Sequence, residues 1–162
     1  MRRPRRPSMY GFASVERGIR AMTPPPADDS ERTSGRAGLR VLIAEDDPNS
    51  RKVLTAALER MRPQLTITAN GREAVDAFQR QPFDVVLMDL QMPVMDGYAA
   101  TREIRALESQ RQSSRTPIVV VSAHTRPWEL EQARGAGADY HLGKPLNVPA
   151  LLGTIEAAVA PL

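Results

Sequence analysis

Three carboxylates, a hydroxyl and an ammonium group in this chain each follow a short apolar run. Glu45 and Asp46 end the run Val41-Leu42-Ile43-Ala44. Asp89 ends Val85-Val86-Leu87-Met88, and Ser122 ends Ile118-Val119-Val120-Val121. Lys144, followed by Pro145, comes just after a fourth, shorter run. Polar residues at the ends of four buried strands imply one site at one edge of one sheet. Carboxylates gathered with a lysine and a hydroxyl can hold a divalent cation and handle a phosphoryl group.

Each residue also has a plainer reading. Glu45 and Asp46 are adjacent and cannot face the same way within a strand, but a turning chain lets both approach a cation. A hard ion such as Mg²⁺ takes oxygen ligands and keeps several waters. The alternative is that Asp46-Asp47-Pro48 only caps the following helix. Asp89 is either a cap or a nucleophile able to form an acyl-phosphate when cations screen the incoming oxygens. Ser122 either caps the next segment or donates its hydroxyl to a phosphoryl oxygen. Lys144 is either a solvated surface lysine or a compact positive charge for a phosphate. Pro145 is a candidate for a cis peptide bond. Asp84 begins the same strand as Asp89, at the opposite sheet edge, and carries no expected role. Asp96-Gly97 reads as a turn and helix start.

The elements that must position these groups alternate between strand and helix. Residues 39–44 form a buried strand, and Asp47-Pro48 opens a helix to about Met61 with Val53, Leu54, Ala57, Leu58 and Met61 on one face. A strand at 65–69 turns at Asn70-Gly71 into a helix at 72–80. A strand at 83–88 precedes a helix at 97–108, and a polar loop at 109–115 leads to a strand at 117–121. A short helix at 127–134, ended by Gly135, is followed by a short strand at 139–142. The last helix, 148–160, has Leu151, Leu152, Ile155 and Val159 on one face. Five βα units in succession call for a parallel sheet covered by helices on both faces. Such sheets bind ligands outside the carboxyl ends of their strands, where all the named groups fall.

Composition narrows the class. The 162 residues are 41% hydrophobic and 25% charged, average for a globular chain. With no Cys there is no disulfide framework or thiolate metal site, and with only two His the composition argues against a structural zinc site. No run approaches the roughly 18 apolar residues of a membrane span. Residues 1–38 hold eight Arg against four acids, whereas residues 39–162 hold 14 Lys and Arg against 15 acids. The basic excess thus belongs to the first segment and argues against bulk nucleic-acid binding by the rest. Residues 1–38 read as a disordered, basic, Pro/Arg-rich tail or linker. The paired arginines do not make an export signal, because Glu16, Arg17 and Arg20 interrupt residues 9–22.

From about residue 39 to the end, the chain resembles the receiver domains of two-component response regulators, most of all those attached to hybrid sensor kinases. The resemblance rests on Val41-Leu42-Ile43-Ala44-Glu45-Asp46-Asp47, on Val86-Leu87-Met88-Asp89-Leu90-Gln91-Met92-Pro93-Val94-Met95-Asp96-Gly97, on Val119-Val120-Val121-Ser122-Ala123-His124, and on Gly137-Ala138-Asp139-Tyr140-His141-Leu142-Gly143-Lys144-Pro145. It implies a flavodoxin-like, doubly wound (βα)5 α/β fold with a five-stranded parallel sheet in the order 2-1-3-4-5. It implies that Asp89 accepts a phosphoryl group from a phosphohistidine on a histidine kinase or histidine phosphotransfer protein. Glu45 and Asp46 form the acidic pair. Asp46, Asp89 and the backbone carbonyl of Gln91 ligate Mg²⁺ (or Mn²⁺), Ser122 binds the phosphoryl group, and Lys144 pairs with the acyl-phosphate. His124 and Gln91 occupy the positions that tune phosphate lifetime.

Two departures stand out. The switch position three residues before the lysine holds His141, not the usual aromatic, and Glu45 replaces the commoner aspartate. His141 is either a switch residue or a plain surface or half-buried one. Trp128 is either a partner anchor or a cover for the core edge. The expected output is a protein–protein contact around Trp128 and the strand at 140–142, in a cytoplasmic phosphorelay. The downstream protein is unknown; no DNA-binding output unit, membrane role or independent turnover enzyme is expected. The alternatives are a phosphorylation-independent binding module of the same fold and a metal-dependent phosphatase. The latter would need a second aspartate where Gln91 stands.

Overall fold

The structure, a computed structural model, describes residues 38–161. The reading of residues 1–37 lies outside the described residues. Strands β1 (Arg40–Ala44), β2 (Gln64–Thr68), β3 (Val85–Met88), β4 (Ile118–Ser122) and β5 (Tyr140–Gly143) form one parallel sheet in the order β2-β1-β3-β4-β5. Helices α1 (Pro48–Leu58), α2 (Gly71–Arg80), α3 (Gly97–Arg111), α4 (Pro127–Ala136) and α5 (Val148–Val159) connect and cover it. The expected fold class and strand order are those observed.

The continuous apolar runs arise because both sheet faces are covered. Successive side chains alternate between faces, so Val41, Ile43, Val85, Leu87, Val119 and Val121 pack with Leu54 and Leu58 of α1 and Leu151 and Ile155 of α5. Leu42, Ala44, Val86, Met88 and Ile118 face the other way, onto Ala74, Val75 and Phe78 of α2 and Ala100 and Ile104 of α3. Val120 meets Leu130 and Ala133 of α4. Burying each large side chain contributes roughly 1.5–3 kcal/mol.

Register brings the strand ends level. Ala44 lies opposite Met88, and Ser122 opposite Gly143. The ladder then runs on past the strands: the Asp89 amide donates to the Ala44 carbonyl at 2.9 Å, and the Lys144 amide to the Ser122 carbonyl at 3.0 Å. Helix starts are fixed at the same edge by side-chain caps. Asp47 accepts from the Ser50 amide at 2.8 Å, Asp96 from Ala99 at 2.8 Å, and Asn147 from Ala150 at 2.9 Å. Each such cap is worth about 1 kcal/mol.

Several boundaries differ from the sequence reading. Helix α3 extends to Arg111, three residues beyond the expected end, where Gln112 adopts φ 51°. Helix α4 runs through Gly135 to Ala136 and is ended by Gly137, not Gly135. Gly137, at φ 114°, takes the left-handed conformation that lets its amide reach the Ala133 and Arg134 carbonyls. On α1, Val53 is 49% exposed, off the buried face on which it was expected. On α5, Ala158 is buried whereas Leu152 and Val159 are only partly so. Strand β3 begins at Val85, while Phe83 precedes it and stacks on Phe78. Asp84 has a structural partner: its carboxylate accepts from the Arg40 amide at 2.8 Å and from the Arg40 guanidinium at 3.0 Å.

Candidate functional site

The carboxyl edge of β1 and β3 carries an acidic cluster. Ligand oxygens of Glu45, Asp46 and Asp89 all lie within 4.8 Å of one another. The three are not equivalent. Glu45 is 1% exposed, and both its oxygens are engaged. Oε1 accepts from the Asp47 amide at 3.0 Å and Oε2 from Lys144 Nζ at 2.7 Å. Asp46 is exposed, and its backbone carbonyl accepts from Arg51 Nη2 at 3.3 Å. Asp89 is buried, with Lys144 Nζ 3.8 Å from its Oδ2. The ammonium group therefore lies between two buried carboxylates and sits closer to Glu45. Asp47, next in line, is the helix cap; burial and charge leave Asp46 for another task.

The electrostatics follow from this placement. Burial, then the neighbouring Glu45 charge, pushes Asp89 up from 3.8 to about 6, with Lys144 acting in the opposite direction. A carboxylate held in this way is poised to gain a cation. The Asp47 carboxyl is held low by the Ser50 amide that it caps.

The β3–α3 loop walls the cleft. Asp46, Leu90, Gln91, Met92, Pro93, Asp96 and Tyr98 line it. The Gln91 amide donates to Asp89 Oδ1 at 3.4 Å, and the Gly97 amide to the Leu90 carbonyl at 2.9 Å. Val94 adopts φ 69° in a three-residue turn closed by the Met95 amide on the Pro93 carbonyl at 2.7 Å, a costly geometry for a β-branched residue. The Gly71 amide braces that turn through the Met95 carbonyl at 2.9 Å. At Gly97 a Cβ would overlap the Asp89 carbonyl. Gly97→Ala is therefore expected to cost about 1–3 kcal/mol, read from denaturant unfolding. An unchanged midpoint would show that the loop yields freely.

On the β4–β5 side, Ser122 is fully buried and its Oγ accepts from the His124 amide at 3.0 Å. The Lys144–Pro145 bond is cis. His141 is 1% exposed on β5, so the surface or half-buried reading gives way to a buried one. Burial lowers its pKa, while an interaction with the His124 backbone opposes the shift. The His124 ring turns to Glu129 of α4, with Nδ1 2.9 Å from Oε1. Trp128 is 54% exposed and so does not serve mainly as core cover. Of the expected 140–142 contact surface, His141 and Leu142 are buried and only Tyr140 is partly accessible.

Glu45, Asp46, Asp89 and Lys144 are thus brought together, with Ser122 joined to Lys144 through the strand ladder. Glu129 and Tyr98 were not singled out from sequence. Glu129 is the third residue after the α4 cap, but Arg126 occupies the cap position, so the usual Ser/Thr signal is missing.

A doubly wound parallel sheet with three carboxylates and a lysine at its carboxyl edge defines an α/β domain with an oxygen-donor cluster at that edge. The model of the response regulator receiver domain matches residues 41–156, and the chain belongs to that family. It is a receiver domain of the kind used in two-component phosphorelay signal transduction. The sensor protein GacS of Pseudomonas syringae is 40% identical over 131 residues, covering 81% of this chain and 14% of that protein. The receiver domain of sensor histidine kinase PA1611 from Pseudomonas aeruginosa, solved with magnesium in its active-site cleft, is 36% identical with a TM-score of 0.69. That match covers 76% of this chain and 98% of that one. A chain from the co-crystal structure of the Saccharomyces cerevisiae phosphotransfer protein Ypd1 with the receiver domain of Ssk1 is 28% identical with a TM-score of 0.71, covering 75% and 88%. The chain spans between 7% and 14% of the length of the curated histidine kinases it matches. Among the described residues no helix is long and apolar enough to cross a membrane.

Proposed function

We propose that this chain accepts a phosphoryl group on Asp89 from a phosphohistidine of a histidine kinase or phosphotransfer protein, in a cytoplasmic phosphorelay. The observation that carries this reading is the Lys144 ammonium group, set between Glu45 and Asp89 at the mouth of a three-carboxylate cluster.

The donor set is all oxygen, which suits a hard divalent cation. Asp46, Asp89 and the Gln91 carbonyl would hold Mg²⁺, while Glu45, with both oxygens engaged, acts by fixing Lys144. The ion would supply positive charge against the phosphoryl oxygens. A carboxylate oxygen of Asp89 forms the new bond to phosphorus as the bond to the donor's imidazole nitrogen breaks and its electron pair returns to the ring. Lys144 neutralises charge on the transferred group, and Ser122 donates its hydroxyl to another phosphoryl oxygen. Positioning and electrostatics do most of this work. The chain assists its own phosphorylation and the later hydrolysis but turns over no separate substrate. The partner is a protein surface.

Incubation of the full chain with Mg²⁺ and acetyl phosphate is expected to give a labile mass gain of about 80 Da, abolished by chelation. No gain with Mg²⁺ demonstrably bound would overturn the reading.

A further inference from the structure

The loop between β4 and α4 is tied at both ends by a single buried carboxylate. Glu129 is 6% exposed. Its Oε2 accepts from the Arg126 amide at 3.1 Å, and its Oε1 meets His124 Nδ1 at 2.9 Å. A buried carboxylate must be paired or it destabilises the fold, and these are its two partners on the loop. His124 in turn reaches two other elements through its backbone. Its amide donates to Ser122 Oγ, and its backbone interacts with the buried His141 ring of β5. Because Ser122 Oγ accepts from that amide, its own hydrogen is left to donate elsewhere. Tyr98, which lines the neighbouring cleft together with Asp46 and Gln91, feels Glu129 as well: burial first, then Glu129 and Asp96, push its phenol up.

We propose that Glu129 is a positioning residue for the phosphoryl-binding hydroxyl: through His124 it makes Ser122, the 123–126 loop and α4 move as one unit. On this view His124 does not meet the phosphoryl group itself, because its ring is committed to Glu129. The residue transmits a change at Ser122 to the helix bearing exposed Trp128. The inference rests on the proposed phosphoryl acceptance at Asp89.

The test uses the full chain with Mg²⁺ and trifluoroberyllate as the phosphoryl mimic. Mimic affinity is read by calorimetry and α4 by amide exchange, with Mg²⁺ affinity and melting temperature measured alongside. In wild type, the mimic is expected to bind and to change exchange across α4. In His124→Ala and Glu129→Gln, mimic affinity is expected to fall about fivefold to tenfold, the worth of one buried polar contact. The α4 response is expected to shrink at least by about half while Mg²⁺ affinity holds. His124→Gln, which keeps a donor for Glu129, is expected to restore part of the response. Equal affinity and equal α4 response in wild type and His124→Ala would sink the clasp while leaving Asp89 acceptance intact. So would losses in the variants that merely track a lowered melting temperature and weakened Mg²⁺ binding. Failure of the mimic to bind wild type at all would remove the phosphoryl reading and the clasp with it.

Discussion

Asp89→Asn is expected to abolish the mass gain from acetyl phosphate and, at the same time, to make the metal-free protein more stable at neutral pH. The second effect comes from the cost of the site. Asp89 is buried beside Glu45, and its folded value lies near 6 against 3.8 for the free side chain. The folded state therefore holds this proton more tightly than the unfolded chain does. The stability linked to it is fully present below about pH 4 and is lost as pH rises through about 6. Above that, the ionised carboxylate costs on the order of 1–3 kcal/mol, an amount asparagine does not incur. The advantage of Asp89→Asn should thus be near zero at pH 4 and reach a plateau above pH 7, in denaturant titrations without divalent ions. Adding Mg²⁺ should close the gap, since a cation favours the ionised carboxylate of the wild type only. A variant that is less stable than wild type at pH 8 would contradict this account.

Lys144→Met is the second large effect, and it should act on stability and chemistry together. Glu45 is 1% exposed and depends on Lys144 Nζ at 2.7 Å; without it, the carboxylate keeps only the Asp47 amide. Breaking a buried pair from one side commonly costs about 3–5 kcal/mol, and partial exposure of Lys144 brings the expectation here to about 2–3 kcal/mol. Combining Lys144→Met with Glu45→Gln removes the stranded charge, so the double variant is expected to regain much of the stability but none of the phosphoryl acceptance. If both single variants and the double one were additive in stability, the two side chains would not be interacting as the 2.7 Å contact implies.

The contrast between these two residues shows what the chain order alone could carry. Runs such as Val85-Val86-Leu87-Met88, short, Val-rich and bounded by polar residues, read as strands covered on both faces. Asp89, placed directly after such a run, must lie at a sheet edge. Asp47-Pro48, Asn70-Gly71 and Asp96-Gly97 marked three helix starts through local hydrogen-bonding and dihedral preferences. Helix ends were less legible. Gly135 and Gly137 both suit termination, and only the reach of an amide back to Ala133 and Arg134 selects Gly137. The exposure of Val53 was also hidden, since it depends on how α1 lies against the sheet and not on its own period.

The division of labour among the acids was hidden too. Sequence places Glu45, Asp46 and Asp47 side by side and marks Asp47 as the helix cap, but no local pattern tells which of Glu45 and Asp46 meets the lysine. The fold separates them: Glu45 turns inward to Lys144, 99 positions away, Asp46 faces the cleft, and Asp47 caps α1. Likewise, no local pattern joins Arg105 to Asp139, yet they meet at 2.7 Å and secure the starts of β4 and β5 at the far edge. The sequence by itself therefore determined the strand–helix alternation, the family and the residues of the acidic edge, because these depend on periodicity and on order along the chain. The tertiary structure alone decided which carboxylate meets the lysine, how deeply Asp89 and His141 are buried, and that His124 turns to Glu129, because pairing and desolvation depend on groups that only packing brings together.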